Sequence, residues 1–150
     1  MTITEYTKKM DDTILNYEGN KISSCCKSFL EGLLEKNINK KVAYLIWKGP
    51  WMCAGRDTFI DDILRKIGLT NGISKSRYPE TSIDELKALN CDFIFLSSEP
   101  YPFKETHIEE LQQALPTTKI MLVDGEMFSW YGSRLVKAVE YLFYLQRALA

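Results

Sequence analysis

Three short apolar runs separated by amphipathic segments constrain this chain more than any other feature. They are Val42-Ala43-Tyr44-Leu45-Ile46-Trp47, Asp92-Phe93-Ile94-Phe95-Leu96 and Lys119-Ile120-Met121-Leu122-Val123. Each is nearly continuous in apolar residues, the mark of a strand covered on both faces. Between the first two, Phe59, Ile60, Ile63, Leu64 and Ile67 share one helical face, with Asp57 as N-cap and Gly68 as C-cap. Residues 69–81 read as loop. Ser82 with Glu85 three residues on forms a capping box, and the helix it opens ends near Asn90. A helix over Lys104–Leu115 turns Ile108, Leu111 and Leu115 inward, and a last helix carries Leu135, Val139, Leu142, Phe143 and Leu149. Residues 3–36 read mainly as helix, interrupted at Gly19-Asn20. Strands alternating with helices imply an α/β domain of three layers around a mainly parallel sheet.

In such sheets ligands bind beyond the carboxyl ends of the strands. The loops Trp47–Gly55, Ser97–Pro102 and Asp124–Arg134 all follow strands, so they should share one rim. That rim is aromatic, with Trp51, Tyr101, Phe103, Phe128, Trp130 and Tyr131. Such side chains hold flat ligands with little entropy loss. Trp51 and Trp130, flanked by polar residues or glycine, read as exposed; Phe128 serves equally well as a core plug or a ligand contact.

The remaining chemistry is sparse. The 150 residues fit one domain, and a net charge of -1 from 19 basic and 20 acidic residues gives no field for nucleic acid. No stretch approaches a membrane span, and the first residues lack the apolar region of a signal peptide. If the chain is complete, it is expected to stay in the cytoplasm. Gly49 and Gly55 are followed by Arg56 and Asp57, not by the Lys-Ser/Thr of a phosphate loop. The single histidine, His107, has no acid or nucleophile patterned around it, and metal ligation by it is unsupported. Cys53 lacks a base, Cys91 opens a strand and reads as a buried small hydrophobe, and the four cysteines fit no zinc spacing. Glu99, Asp124 and Glu126 share the rim, but surface loops carry such carboxylates routinely. No catalytic residue, metal site or covalently bound cofactor is assigned, and the reading is of a binding protein, not an enzyme.

Several segments resemble the C-terminal lobe of the metal-chelate receptors that serve ABC transporters for cobalamin, haem and iron siderophores. Val42–Trp47, the loop Gly49–Gly55 and the helix Thr58–Ile67 look like the start of that lobe. Arg77-Tyr78-Pro79-Glu80-Thr81-Ser82-Ile83-Asp84-Glu85-Leu86 and Leu89-Asn90-Cys91-Asp92 resemble the family's acidic helix and strand entry, with Cys91 in place of a proline. Trp130-Tyr131-Gly132-Ser133-Arg134 resembles its final element, and Asn20–Asn37 its interlobe backbone helix. The resemblance implies a Rossmann-like lobe over 40–150 behind a helical segment over 1–39. It implies ligand contacts at Met52, Tyr78, Glu126 and Trp130, beside the rim residues Trp51 and Tyr101. Asp84, with Glu85 as its neighbour, matches the acid presented to a permease. The family's second lobe is missing, so the resemblance implies either a truncated lobe or a cleft rebuilt by a second chain, such as a homodimer. Localisation by resemblance is periplasmic or cell-surface. Two other readings stand beside it: an interaction or dimerisation module that kept the fold without the ligand, and a small enzyme on a flavodoxin-like core.

Overall fold

In a computed structural model of the chain, the described residues are 36–128 and 135–150. The helical segment expected over 3–36 falls outside them but for its last residue, as do Trp130 and Tyr131. Among the described residues five strands form one sheet: β1 (Lys40–Trp47), β2 (Met52–Cys53), β3 (Leu69–Asn71), β4 (Phe93–Ser97) and β5 (Lys119–Val123). β4 pairs in parallel with β1 on one side and with β5 on the other. The far edge of β1 is shared. β3 runs parallel along its start, with Lys40 opposite Leu69, and β2 runs antiparallel along its end, with Trp47 opposite Met52.

Among the described residues four helices cover the sheet: α1 (Phe59–Lys66), α2 (Ile83–Leu89), α3 (Glu105–Ala114) and α4 (Leu135–Leu149). Strand alternation decides which residues meet which helices. Val42, Tyr44, Phe93, Phe95 and Val123 face α1 and α4, where Ile60, Ile63, Leu64, Val139 and Leu142 complete one buried cluster. Ala43, Leu45, Ile94, Leu96 and Ile120 face α2 and α3, where Leu86, Leu111 and Leu115 complete a second. The result is the expected α/β domain with three layers.

Several local expectations are corrected. Residues 69–71 are strand, not loop; Leu69 is buried and its neighbours extend β1's parallel ladder, a tertiary pairing that three residues do not announce. Met52–Cys53 form a second strand inside the expected Trp47–Gly55 loop. The N-cap of α1 is Thr58, not Asp57: the Thr58 Oγ1 accepts from the Asp61 N–H at 3.1 Å and donates to the Gly55 carbonyl at 2.8 Å. Asp57 sits one residue outside with φ 61°. At α2 half the capping box forms. Ser82 Oγ accepts from the Glu85 N–H at 3.2 Å, while the Glu85 carboxylate takes the Thr81 hydroxyl instead of reaching back. The C-cap of α1 is Ile67, not Gly68; the glycine follows one residue on, at φ 87°, and donates its N–H to the Arg65 carbonyl.

Candidate ligand site

At the carboxyl ends of β1 and β4 a pocket of about 500 Å3 opens, lined by Tyr44, Ile46, Ile60, Tyr78, Ser97, Glu99, Pro100 and Gly125. Parallel strands place it here, because the loops after β4 and β5 cross the same end of the sheet. Its floor is a hydrogen-bonded pair. The buried Tyr44 hydroxyl donates to Ser97 Oγ at 3.1 Å, and Ser97 Oγ in turn donates to the Glu99 carbonyl. Burial drives the Tyr44 phenol far above its ordinary value, with smaller contributions from Asp124 and Glu99, so it remains a proton donor throughout the neutral range. Below the floor the Tyr44 ring packs on Phe128 at 5.0 Å and edge-on against Phe95 at 6.4 Å. Phe128 is fully buried, so of its two readings the core plug holds.

The loop after β4 is tied to the loop after β5. Ser98 donates its N–H to the Val123 carbonyl at 3.0 Å, and its Oγ accepts from the Gly125 N–H at 3.0 Å. Gly125 permits this closeness: a Cβ there would lie 2.2 Å from Ser97 Oγ and 3.0 Å from Glu99 Cγ. The Glu126 N–H donates to the Asp124 carboxylate, and the Asp124 N–H to the Tyr141 hydroxyl, both at 3.0 Å.

Of the residues singled out from sequence, Tyr78 lines the pocket and is 44% exposed. Glu126 lies half-buried in the 3-10 turn Gly125–Phe128, next to the lining residue Gly125. Met52 is half-buried in β2, bridged to Glu80 and across the edge from Trp47. Trp51 and Tyr101 come together, but on the α2–α3 side of the sheet. Trp51 stacks on the buried Phe103 at 6.3 Å, Tyr101 packs on the same ring at 4.7 Å, and both are half-buried. Neither lines the pocket. Trp130 lies outside the described residues. Asp84 and Glu85 are exposed in the first turn of α2.

Sequence reasoning passed over Tyr44, Ser97 and Trp47. Tyr44 reads as one more apolar strand residue, and Ser97 as the first residue of a loop. Trp47 ends β1 with 39% exposure and meets Tyr101 edge-on at 5.3 Å. The available signal was its parity: it continues the Ala43 and Leu45 face, whereas Tyr44 and Ile46 continue the other.

Nucleophilic chemistry finds little support in the geometry. Burial pushes both the Cys53 and Cys91 thiols up to about 11, away from the reactive thiolate. His107 Nδ1 accepts from the Lys104 N–H at 2.9 Å and Nε2 faces the Tyr101 hydroxyl at 3.4 Å, so the ring is used in packing the α3 N-terminus. Among the described residues no three histidine, cysteine or acidic side chains are placed to hold a metal ion.

In sequence the chain matches no protein-family model and no curated protein. In structure it is similar to several solved binding proteins. The periplasmic vitamin B12 binding protein BtuF of Vibrio cholerae superposes with a TM-score of 0.63 at 14% identity, over 85% of this chain and 51% of that one. The periplasmic heme binding protein HutB of the same organism gives 0.63 at 20% identity, over 83% and 55%. An ABC transporter substrate-binding protein from Listeria monocytogenes EGD-e gives 0.63 at 13% identity, over 96% and 64%. The chain thus spans about half the length of the first two. Its fold is that of one Rossmann-like lobe of the periplasmic metal-chelate binding proteins.

Proposed function

We propose that this chain is a substrate-binding lobe of an ABC-type importer, holding cobalamin or another metal chelate such as haem or a ferric siderophore at the carboxyl end of its sheet. The observation that carries the reading is the pocket of about 500 Å3 between Tyr44 and Tyr78, set in a fold shared with solved binding proteins for vitamin B12 and heme. That volume falls within the range of roughly 300–1,000 Å3 of small-molecule sites. A tetrapyrrole is larger than the pocket, so its edge would enter while its face extends across the rim. Tyr78 is the principal contact in this reading. Met52, Glu126 and Trp130 are flanking contacts, and Trp51 and Tyr101 meet a ligand that reaches past β1 toward the α3 side.

One lobe covers one side of such a ligand. A second lobe, or a second copy of this chain about a two-fold axis, would cover the other. Alone, the lobe bears the full cost of immobilising the ligand against about half of the contact, so binding by the monomer should be weak. Asp84 and Glu85 are the proposed docking acids for the permease, and the lobe would work in the periplasm or at the cell surface. Titration with cyanocobalamin, haemin and ferrichrome, followed by tryptophan and tyrosine fluorescence, tests the proposal. Saturable quenching by at least one chelate, weakened in Tyr78→Ala, is the expected result. Absence of saturable quenching by all three overturns it.

A further inference from the structure

Among the described residues, the ligand pocket offers an anion very little to hold. In α/β sheets an anion at the carboxyl ends is ordinarily met by free backbone N–H groups or by lysine and arginine. Among the described residues, five N–H groups after β4 and β5 are spent on the chain itself. Ser98 donates to the Val123 carbonyl, Glu99 to Ser97 Oγ, Gly125 to Ser98 Oγ, Glu126 to the Asp124 carboxylate and Met127 to the Asp124 carbonyl. Among the described residues, no lysine or arginine lines the pocket. Two nearby cations are directed elsewhere: Lys48 pairs with Glu110 and lies over the Trp51 ring, and Arg77 reaches the Asp57 carbonyl.

What the pocket does present is acceptor and negative charge. Glu99 lines it, its stem beside Gly125 and its own carbonyl held by Ser97 Oγ, so the loop that carries the carboxylate is fixed. Asp124 and Glu99 both bear on the Tyr44 hydroxyl at the floor. We infer that this pocket selects chelates by charge, accepting neutral or cationic ones with amide, hydroxyl or ammonium donors and rejecting anionic ones; the inference rests on the receptor reading above. Across a half-exposed site of this kind, each unit of ligand charge should change affinity by roughly three- to tenfold.

Matched ligands test the inference, because each chelate core carries its own charge series. Ferrioxamine B bears an ammonium group, its N-acetyl derivative is neutral and its N-succinyl derivative is anionic. Haemin is compared with its dimethyl ester, and cyanocobalamin with the monocarboxylic acid left by hydrolysis of one side-chain amide. Within whichever core binds, affinity should fall roughly three- to tenfold with each added negative charge. Glu99→Gln should narrow that gap, and Glu99→Lys should turn it toward the anionic member. An anionic member that binds the unaltered chain as tightly as its neutral partner, on a core that does bind, overturns the charge inference and leaves the receptor reading standing. Failure of all three cores to bind overturns the receptor reading and the charge inference with it.

Discussion

The Tyr44 hydroxyl, Ser97 Oγ and the Gly125 backbone meet within one hydrogen-bonded knot, and single atoms decide its shape. Gly125→Ala would place a methyl group 2.2 Å from Ser97 Oγ, so either the serine or the turn must move. We expect that substitution to cost about 1–3 kcal/mol in chemical denaturation, and to weaken chelate binding, because it displaces the Glu99 carbonyl from Ser97. A second residue-scale consequence concerns the thiols. Cys53 and Cys91 have folded values near 11 against an ordinary 9.0, with burial as the first cause. The folded state therefore keeps its protons longer than the unfolded one. Their contribution to stability is fully present below pH 9 and is lost as pH rises through about 11. Burial raises the Tyr44 and Tyr141 phenols in the same sense, adding to the alkaline loss. Denaturation midpoints taken from pH 7 upward should be flat at first and then fall, and a Cys53→Ala, Cys91→Ala variant should fall less steeply across the thiol window. Both thiols should also resist alkylation at neutral pH until the chain unfolds.

Helix ends and short strands are the elements where sequence and structure part company. The stripe Ile60, Ile63, Leu64 and Ile67 locates α1 without ambiguity, yet it does not choose between two adjacent capping residues. The choice falls to Thr58 because its hydroxyl can bond forward to Asp61 and back to Gly55 at once. Thr58→Ala should cost about 1–2 kcal/mol. Asp57→Gly should cost nothing and can stabilise, since φ 61° suits glycine better than aspartate. A loss at Asp57 larger than at Thr58 would restore the cap that the sequence suggested. β2 and β3 were illegible for a related reason: with two and three residues, they carry no period of their own and exist because β1 offers them an edge. At α2, neutralising Asp84 and Glu85 to Asn and Gln should lower stability by under about 1 kcal/mol, the scale of acids at a helix N-terminus. The same variant should bind the permease more weakly if these acids dock it. Unchanged permease binding would leave them a capping role alone.

At the scale of the whole molecule, the parallel sheet and its two buried clusters follow from the three apolar runs. Apart from Trp47 and Leu122, which are exposed, most of their apolar side chains are covered on both faces, so a shift of one residue would bury the same kind of group and the run alone suffices. The site is less legible, because it depends on parity and loop path. Tyr78 was found through the resemblance of its segment to known receptors. Glu99 was visible as a rim carboxylate, but nothing in its neighbours foretold that Ser97 would fix its loop. Trp51 and Tyr101 were readable as rim aromatics, yet Phe103 draws them to the α2–α3 side, away from the pocket. In the proposed reading a metal chelate settles at the carboxyl ends of β1 and β4. Amide resonance mapping with a ferric chelate tests it most directly, since the iron broadens signals from nearby groups. Selective broadening around Tyr78, Ser97, Glu99 and Gly125, saturating with added chelate, is the expected result. Broadening centred elsewhere, or spread evenly over the surface at every concentration, would contradict it.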